Sequence, residues 1–368
     1  MLKKTKAMSC KKGIIFLLIL IPFCHVISQG SEETRSFMKS FPVGKESSLE
    51  VDNKYGTIQI TSWNKDSAYI RAEIKASAPN QSKLNKMFNE INVKITGTGN
   101  LVMAQTVFAQ NINALFESFK GMTNKVINYD SQVKINYYIN IPEYLNLRIE
   151  NRYGDVYIEN RTGDFNLSLS NGSLKADSLE GKSIIKLSFC DAAISTIRSG
   201  SIDVSFSEVT ISEVNKLSVK SISSKYRINK AGNISFESRR DDFFIDQAES
   251  LEGNSYFTDF EIGSLTKFIN LISRYGNLDI DNIGNRFESA NINSGYSEIS
   301  LELDPDASCN IEIRTLNTYL ALPSKKIETE KRTLDESKKE YITTGTIGKD
   351  PGSRLLKIDA TRGKIYLK

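Results

Sequence analysis

From Leu147 onward the chain repeats one short pattern of apolar and polar positions. In LRIENRYGDVYIEN, Leu147 and Ile149 alternate with polar neighbours, Gly154 sits in a turn, and Val156 and Ile158 resume the alternation. Side chains two apart face the same side of a strand, so the segment reads as strand, tight turn, strand. The pattern recurs with its turn position at Gly172, Cys190, Ser207, Ser224, Asp241, Thr258, Gly276 and Ser297. A weaker copy follows at Thr318, and the last residues restore a glycine at Gly363. From 154 to 276 the turn positions are spaced by 18, 18, 17, 17, 17, 17 and 18 residues, and the next two steps are each 21.

A constant period of this length predicts stacked coils. One copy offers two short strands whose apolar face it cannot bury alone. Copies stacked about 4.8 Å apart pair each strand in parallel with its equivalents and line the interior with Leu, Ile, Val and Phe. A sandwich reverses strand direction at each connection and has no reason to keep a fixed period. The expected fold is all-β: a single-stranded parallel β-helix, or solenoid, of 17–18-residue coils. An irregular sandwich is the alternative.

Both ends depart from the period. LEVDNKYGTIQI (49–60) forms an isolated copy with Gly56 in its turn, followed by about 85 residues without the repeat. Within these, 82–91 and 112–122 read as short amphipathic helices, and INVKI, NLVMAQTVF and VKINYYINI read as strands. Residues 37–146 are therefore expected to form a β-rich N-terminal capping module with a helical insertion, since an open terminal coil invites edge pairing. The solenoid proper is assigned to 147–322, a polar, charged insertion or loop to 323–353, and the final strands to 354–368.

The N-terminus changes the charge argument. Five lysines precede an apolar run from Ile14 to Ile21, and Val26 and Ser28 stand before a plausible cleavage point at Gln29. This is the layout of a signal peptide, assigned to 1–28, and the run is shorter than the roughly 20 residues of a membrane span. An uncleaved anchor and lipidation at Cys24 are the other readings. The whole chain carries 48 basic and 44 acidic residues; without the leader 43 basic residues face 44 acidic ones. The near-neutral remainder lacks the electrostatic footprint of a nucleic-acid binder. Cleavage also removes the only histidine, His25. That excludes His-based acid–base catalysis, Ser-His and Cys-His nucleophiles and the commonest zinc sites. Cys190 and Cys309 are too few and too far apart for a disulfide framework.

Three constellations carry candidate chemistry. Just after each turn stand Asp155, Asp191, Glu208, Asp242, Asp259 and Glu298, interrupted by Ser173, Lys225 and Asn277. Stacked carboxylates repel, so Asp155, Asp191, Asp242 and Asp259 are weak candidates for calcium ligands; the simpler reading is turn-forming Asp and Asn bonding to their own backbone. Arg239-Arg240-Asp241-Asp242 combines the residue types of a polysaccharide lyase, but neighbours on a strand alternate sides and do not converge. Tyr153, Phe189, Phe206, Phe257, Tyr275 and Tyr296 form an aromatic column, expected to pack internally or over the turns, with sugar stacking as the alternative.

The YG-centred copies, LEVDNKYGTIQITSW and LRIENRYGDVYIEN, together with the leader and the insertion between them, resemble the DUF4097-type putative-adhesin family of bacterial envelope proteins. The resemblance covers roughly residue 40 to the C-terminus. It implies a parallel β-helix and an exported location, and brings no catalytic residues with it. The expected function is thus that of an exported, non-enzymatic, adhesin-like or scaffolding protein of the cell envelope, in the periplasm, on the outer surface or secreted. No catalytic residue, cofactor or metal is assigned. Its partner would be an unknown surface or envelope component, polysaccharide or protein, with no nucleic acid and no membrane span after cleavage. The alternative is a carbohydrate-binding or polysaccharide-cleaving β-helix.

Overall fold

The computed structural model describes residues 30–109, 132–324 and 327–368. The expected signal peptide, Cys24 and the helix expected at 112–122 lie outside the described residues.

The repeat folds as a solenoid. Strands β1 (Ser31–Pro42), β2 (Ser48–Lys54), β3 (Ile58–Ser62) and β4 (Ser67–Ala78) lead to the helix α1 (Gln81–Glu90). After it come β5 (Ile91–Thr98), β6 (Leu101–Phe108), β7 (Val133–Ile141), β8 (Asn146–Arg152) and β9 (Val156–Ile158). The regular coils are β10 (Phe165–Ser205), β11 (Glu208–Ile222), β12 (Lys225–Arg239), β13 (Asp242–Tyr256) and β14 (Asp259–Arg274). Each pairs in parallel with the next, position by position: Val209 with Tyr226, Tyr226 with Phe243, Phe243 with Phe260. Pairing lapses at residues 212 and 215 of β11 and at the turn 223–224. Each coil therefore has three short faces joined by three corners.

Within a face every second side chain points inward, and the alternation slips by one residue at a corner. In β11 these are Val209, Ile211, Val214, Leu217, Val219 and Ser221, all buried. One inward column departs from the apolar expectation. It begins with Leu169, Leu187 and Val204 and then becomes Ser221, Ser238, Ser255, Ser273 and Ser294, also buried. The change coincides with bulkier neighbours: Tyr226, Phe243 and Phe260 stack inside the coil at 4.4 and 5.1 Å, and Phe236 leans on Phe260 at 5.0 Å. Interiors pack to near-constant density, so rings in one column leave room only for small residues in the next.

The copy at 49–60 is not isolated in space. β2 and β3 pair in parallel with β8 and β9, so it forms the coil directly above them. β6 and β7 in turn pair in parallel with β2 and β3. The parallel stack then stops: β4 runs antiparallel to β7, β5 to β6, and β1 to β4. Helix α1 bridges β4 and β5. The Asn80 side chain accepts from the Lys83 amide at 3.0 Å as its N-cap, and Leu84, Met87 and Phe88 are buried, the helix packing on β4, β1 and β5.

The other end differs from simple succession. β15 (Asn277–Ile283), β16 (Ser289–Gly295) and β17 (Glu298–Leu303) continue the stack. Next in space, however, come the last strands of the chain, β22 (Leu355–Thr361) and β23 (Lys364–Leu367). They lie between β16–β17 and the coil formed by β18 (Cys309–Leu316) and β19 (Tyr319–Ala321). Residues 323–353, read from sequence as a polar insertion or loop, carry two strands, β20 (Ile327–Asp335) and β21 (Glu340–Ile347). β21 pairs antiparallel with β18, and β20 pairs antiparallel with β21 at the outer edge. The charge of β20 (IETEKRTLD) suits it to that role, because charged edges resist adding further strands.

Candidate functional site

The corner that carries the sequence repeat is built from three adjacent columns. The first bends the chain. Tyr55, Tyr153, Asn171, Phe189, Phe206, Ser223, Arg240, Phe257, Tyr275, Tyr296, Asn317 and Arg362 all have left-handed backbone, with φ between 46° and 67°. This conformation costs an L-residue about 1–2 kcal/mol and suits glycine or asparagine best. Here most of the positions hold an aromatic residue.

The second column, one residue on, points inward and is small. Where it is glycine there is no room for a side chain: a Cβ on Gly154 would stand 2.0 Å from the Gly56 carbonyl oxygen, and one on Gly172 2.1 Å from that of Gly154. Where it is not glycine it forms a hydrogen-bonded ladder. The Cys190 amide donates to Ser207 Oγ (3.0 Å), the Ser207 amide to Ser224 Oγ (3.3 Å), and the Ser224 amide to Asp241 Oδ1 (2.7 Å). The hydroxyls donate in turn to the carbonyl two residues back, as Ser207 does to Ser205 at 2.8 Å. The polar residues at the turn, which look like weakened copies of the glycine motif, are rungs of this ladder.

Asp241 is the deepest of them. It is buried and accepts from Ser221 Oγ, the Ser224 amide, Ser238 Oγ and the Arg239 amide. Burial raises its pKa, against the lowering pull of these donors. Arg239, Arg240 and Asp242 remain outside. The cluster 239–242 thus divides between interior and surface, and its acid and bases do not converge.

The third column holds the candidate metal-ligating acids. Asp155 is half-buried and spends Oδ1 on the Ser173 amide (2.9 Å) and hydroxyl (2.6 Å). Asp259 Oδ1 accepts from the Asn277 amide at 2.7 Å. Asp191 and Asp242 are exposed, and Lys225 is in register between Glu208 and Asp242. Glu208 is ion-paired with Arg227, and Lys225 lies 5.0 Å over the Phe244 ring. Among the described residues no three potential ligands gather as a metal group.

The aromatic column was expected to pack internally or over the turns; it lies on the outside, at the turns. Phe189 is 58% exposed, and Tyr153, Phe206, Phe257, Tyr275 and Tyr296 lie between 44% and 54%. The left-handed bend is the cause, since it turns the side chain away from the core that the next residue enters. The rings stack on one another along the solenoid axis. Tyr55 and Tyr153 form one group at 5.5 Å, Phe189 and Phe206 a second at 5.0 Å, and Phe257, Tyr275 and Tyr296 a third at 4.9 and 5.0 Å. Arg362 closes the third group, donating to the Tyr296 hydroxyl at 2.6 Å. Asn171 separates the first two groups; Ser223 and Arg240 separate the second and third.

Between the ring column and the acidic column runs a shallow groove of about 930 Å³. Phe189, Phe206, Ser223 and Arg240 form one wall, and Asp155, Asp191, Glu208, Lys225 and Asp242 the other, over Gly172, Cys190, Ser207 and Ser224 as floor. Sequence reasoning found the ring column and missed its orientation. The signal that could have shown it is the repeated aromatic next to a residue too small to be anything but inward-facing.

The architecture is that of an all-β solenoid with one ring-bearing corner. No protein-family model matches the chain, and no curated protein matches it. Solved structures similar to it include a "putative cell adhesion protein" from Clostridium sporogenes ATCC 15579 (11% identity, TM-score 0.19, 91% of this chain and 99% of that one). Others are a "putative adhesin" from Parabacteroides distasonis ATCC 8503 (9%, 0.34, 91% and 97%) and a "putative adhesin" from Bacteroides fragilis NCTC 9343 (13%, 0.23, 91% and 97%). At these TM-scores the likeness carries nothing about function, which rests on the corner itself.

Proposed function

We propose that this chain is a non-catalytic, adhesin-like solenoid that holds an extended surface glycan along its aromatic corner. The observation that carries the reading is the run of exposed aromatic residues at left-handed positions. Asn or Gly would make the same bend at lower cost, as Asn171 and Asn317 do. Stacking returns about 0.5–1.5 kcal/mol per ring pair. It does not explain why half of each ring is left in water.

A glycan fits the groove better than a peptide. Extended peptides gain affinity by adding main-chain hydrogen bonds to an open strand edge. Along this corner the main chain is already used: the Tyr153 amide donates to the Ser170 carbonyl, the Phe206 amide to Ile222, and the Phe257 amide to Arg274. Ring edges on one wall and carboxylates on the other offer apolar contact and hydroxyl acceptors instead. The groove has no enclosed pocket, and its acids are spread along one side.

The YG-bearing copies support placing the chain with the DUF4097-type family, and the basic, then apolar, N-terminus supports export to the envelope. The reading is tested by screening the protein against an array of bacterial and plant polysaccharides. Phe189→Ala/Phe206→Ala is expected to lose about tenfold or more in affinity for whatever binds, at a melting temperature lowered by no more than about 2 °C for the lost ring stack. Retained binding, or no binding to any glycan, overturns it.

A further inference from the structure

We infer that the break in the ring column at Ser223 and Arg240 is a subsite for one acidic sugar within an otherwise neutral glycan. The inference rests on the glycan-binding reading above and adds the charge pattern of the ligand.

Within a stacked group, each ring covers its neighbour's face and shows solvent only an edge. Open faces occur where a group ends. Phe206 ends one group and Phe257 begins the next, three coil steps apart, or about 14 Å at the spacing of parallel strands. The two rungs between them hold no ring. Ser223 is small, and the exposed Arg240 guanidinium makes no hydrogen bond or ion pair among the described residues. Phe206, Ser223, Arg240 and Lys225 all line the groove at this point. A sugar ring entering the break can lie on the open Phe206 face, with a carboxylate substituent directed to Arg240.

The rest of the groove sets the pattern. Toward the N-terminal end its wall is acidic, with the Asp191 carboxylate making no hydrogen bond or ion pair among the described residues and Asp155 beyond it. Glu208 is ion-paired with Arg227, and Lys225 follows it on the same wall, so that wall turns basic opposite Ser223 and Arg240 before Asp242 ends it. A uniformly charged polyuronide lying along the groove would set a carboxylate against Asp191 as well as against Arg240. A glycan with sparse acidic residues meets only the second.

The test compares three probes on the intact protein: a neutral oligosaccharide, the same oligosaccharide carrying one glucuronic acid, and an oligoglucuronate. The singly acidic probe is expected to bind about fivefold tighter than the neutral one, as for one partly exposed charge pair, with the gain fading in high salt. Arg240→Gln is expected to equalise these two probes without changing the melting temperature. Asp191→Asn is expected to improve the oligoglucuronate alone. Equal wild-type affinity for the neutral and singly acidic probes, or a preference that survives Arg240→Gln, overturns the inference. If Phe206→Ala weakens all three probes while Arg240→Gln changes none, the glycan reading stands and the acidic subsite falls. If none of the probes binds, both fall.

Discussion

Gly154→Ala tests the packing on which the corner depends. Gly154 lies between Gly56 in the coil above and Gly172 in the coil below. Its φ is not left-handed, so alanine meets no backbone strain there. The obstacle is space: the new methyl would stand 2.0 Å from the Gly56 oxygen, 2.6 Å from its carbonyl carbon and 2.8 Å from its nitrogen. Carbon and oxygen rest at about 3.3–3.6 Å, so the two coils must separate locally by about 1.3 Å. Backbone cannot swing aside as a flexible side chain can. The bonds flanking the contact, Tyr55 amide to Arg152 carbonyl and Ile58 amide to Asp155 carbonyl, are each 2.9 Å and would open beyond bonding range. Two lost bonds at about 1 kcal/mol each, plus the desolvated groups they leave, come to about 3 kcal/mol or more.

For a chain of this size 3 kcal/mol corresponds to a melting-temperature drop of about 4 °C. Hydrogen exchange should localise the opening to β2–β3 and β8–β9. Two controls separate crowding from backbone effects. Gly44→Ala has nothing within 4 Å and no left-handed φ, and should melt like wild type. Gly99→Ala also meets open space but at a φ of 57°, and should cost about 1 kcal/mol. A Gly154→Ala protein melting within a degree or so of Gly44→Ala would refute the account of the small inward column.

The remaining predictions concern buried polar groups. Asp241→Ala leaves the Ser224 and Arg239 amides without an acceptor and should destabilise by about 2–5 kcal/mol. Asp241→Ser, which restores the hydroxyl rung found at 207 and 224, should cost much less; chemical denaturation distinguishes them. Because burial raises the Asp241 pKa, the protonated form is the one the fold favours. Its contribution is fully present below the unfolded carboxylate pKa and is lost as pH rises through the folded value, so wild type should gain on Asp241→Ser as pH is lowered toward 4 and below. The thiols of Cys190 and Cys309 are buried, with burial pushing Cys309 up to about 11 and raising Cys190; alkylation at pH 8 followed by peptide mass spectrometry should find both unmodified until denaturant is added. Arg161 is buried, donates to the Pro142 and Leu145 carbonyls at 2.8 and 2.6 Å, and is lowered to about 10 by desolvation; Arg161→Met should loosen the 142–145 segment, read as faster hydrogen exchange there.

Much of this architecture was legible because the solenoid repeats one instruction. The 17–18-residue period, the inward Leu and Ile positions and the helix ending near Ile91 follow from spacing alone. Two features did not, for physical reasons. The sign of φ at the bend leaves no mark in an apolar–polar pattern, so it did not decide whether the rings of Phe189 and Phe206 pack inside or over the turns. The order of the last coils was also hidden. β22 and β18 carry interchangeable alternations, LLKIDAT against NIEIRTL, and either could follow β16. The choice lies in the charged hairpin partner β20–β21, which pairs with β18 and leaves the slot beside β16 to the chain end. The serine column was visible in principle, since Ser221, Ser238, Ser255, Ser273 and Ser294 are spaced by 17, 17, 18 and 21, the steps of the repeat itself.

The fold and the proposed site share one cause. A coil can turn this corner sharply only with a left-handed residue followed by a small inward one, because the next coil lies directly against the turn. The small residue fixes the stacking distance, and the left-handed residue is thrown outward, where a ring packs only on the rings next to it in the column. Each coil thus yields one surface position in register with its neighbours, about 4.8 Å apart. The length of the binding edge is then set by the number of coils, and its chemistry by which side chain each coil puts there. Moving the break is a direct consequence: Ser223→Phe should extend the Phe189–Phe206 group by one rung and leave Arg240 stacked against a ring rather than free. Removing a ring with Phe257→Ser should widen the gap without disturbing the core beneath it. Ring stacking read by near-ultraviolet circular dichroism, alongside a melting temperature within about 2 °C of wild type, is the expected result; a collapse of stability in either variant would mean that the outward column carries more of the fold than ring stacking.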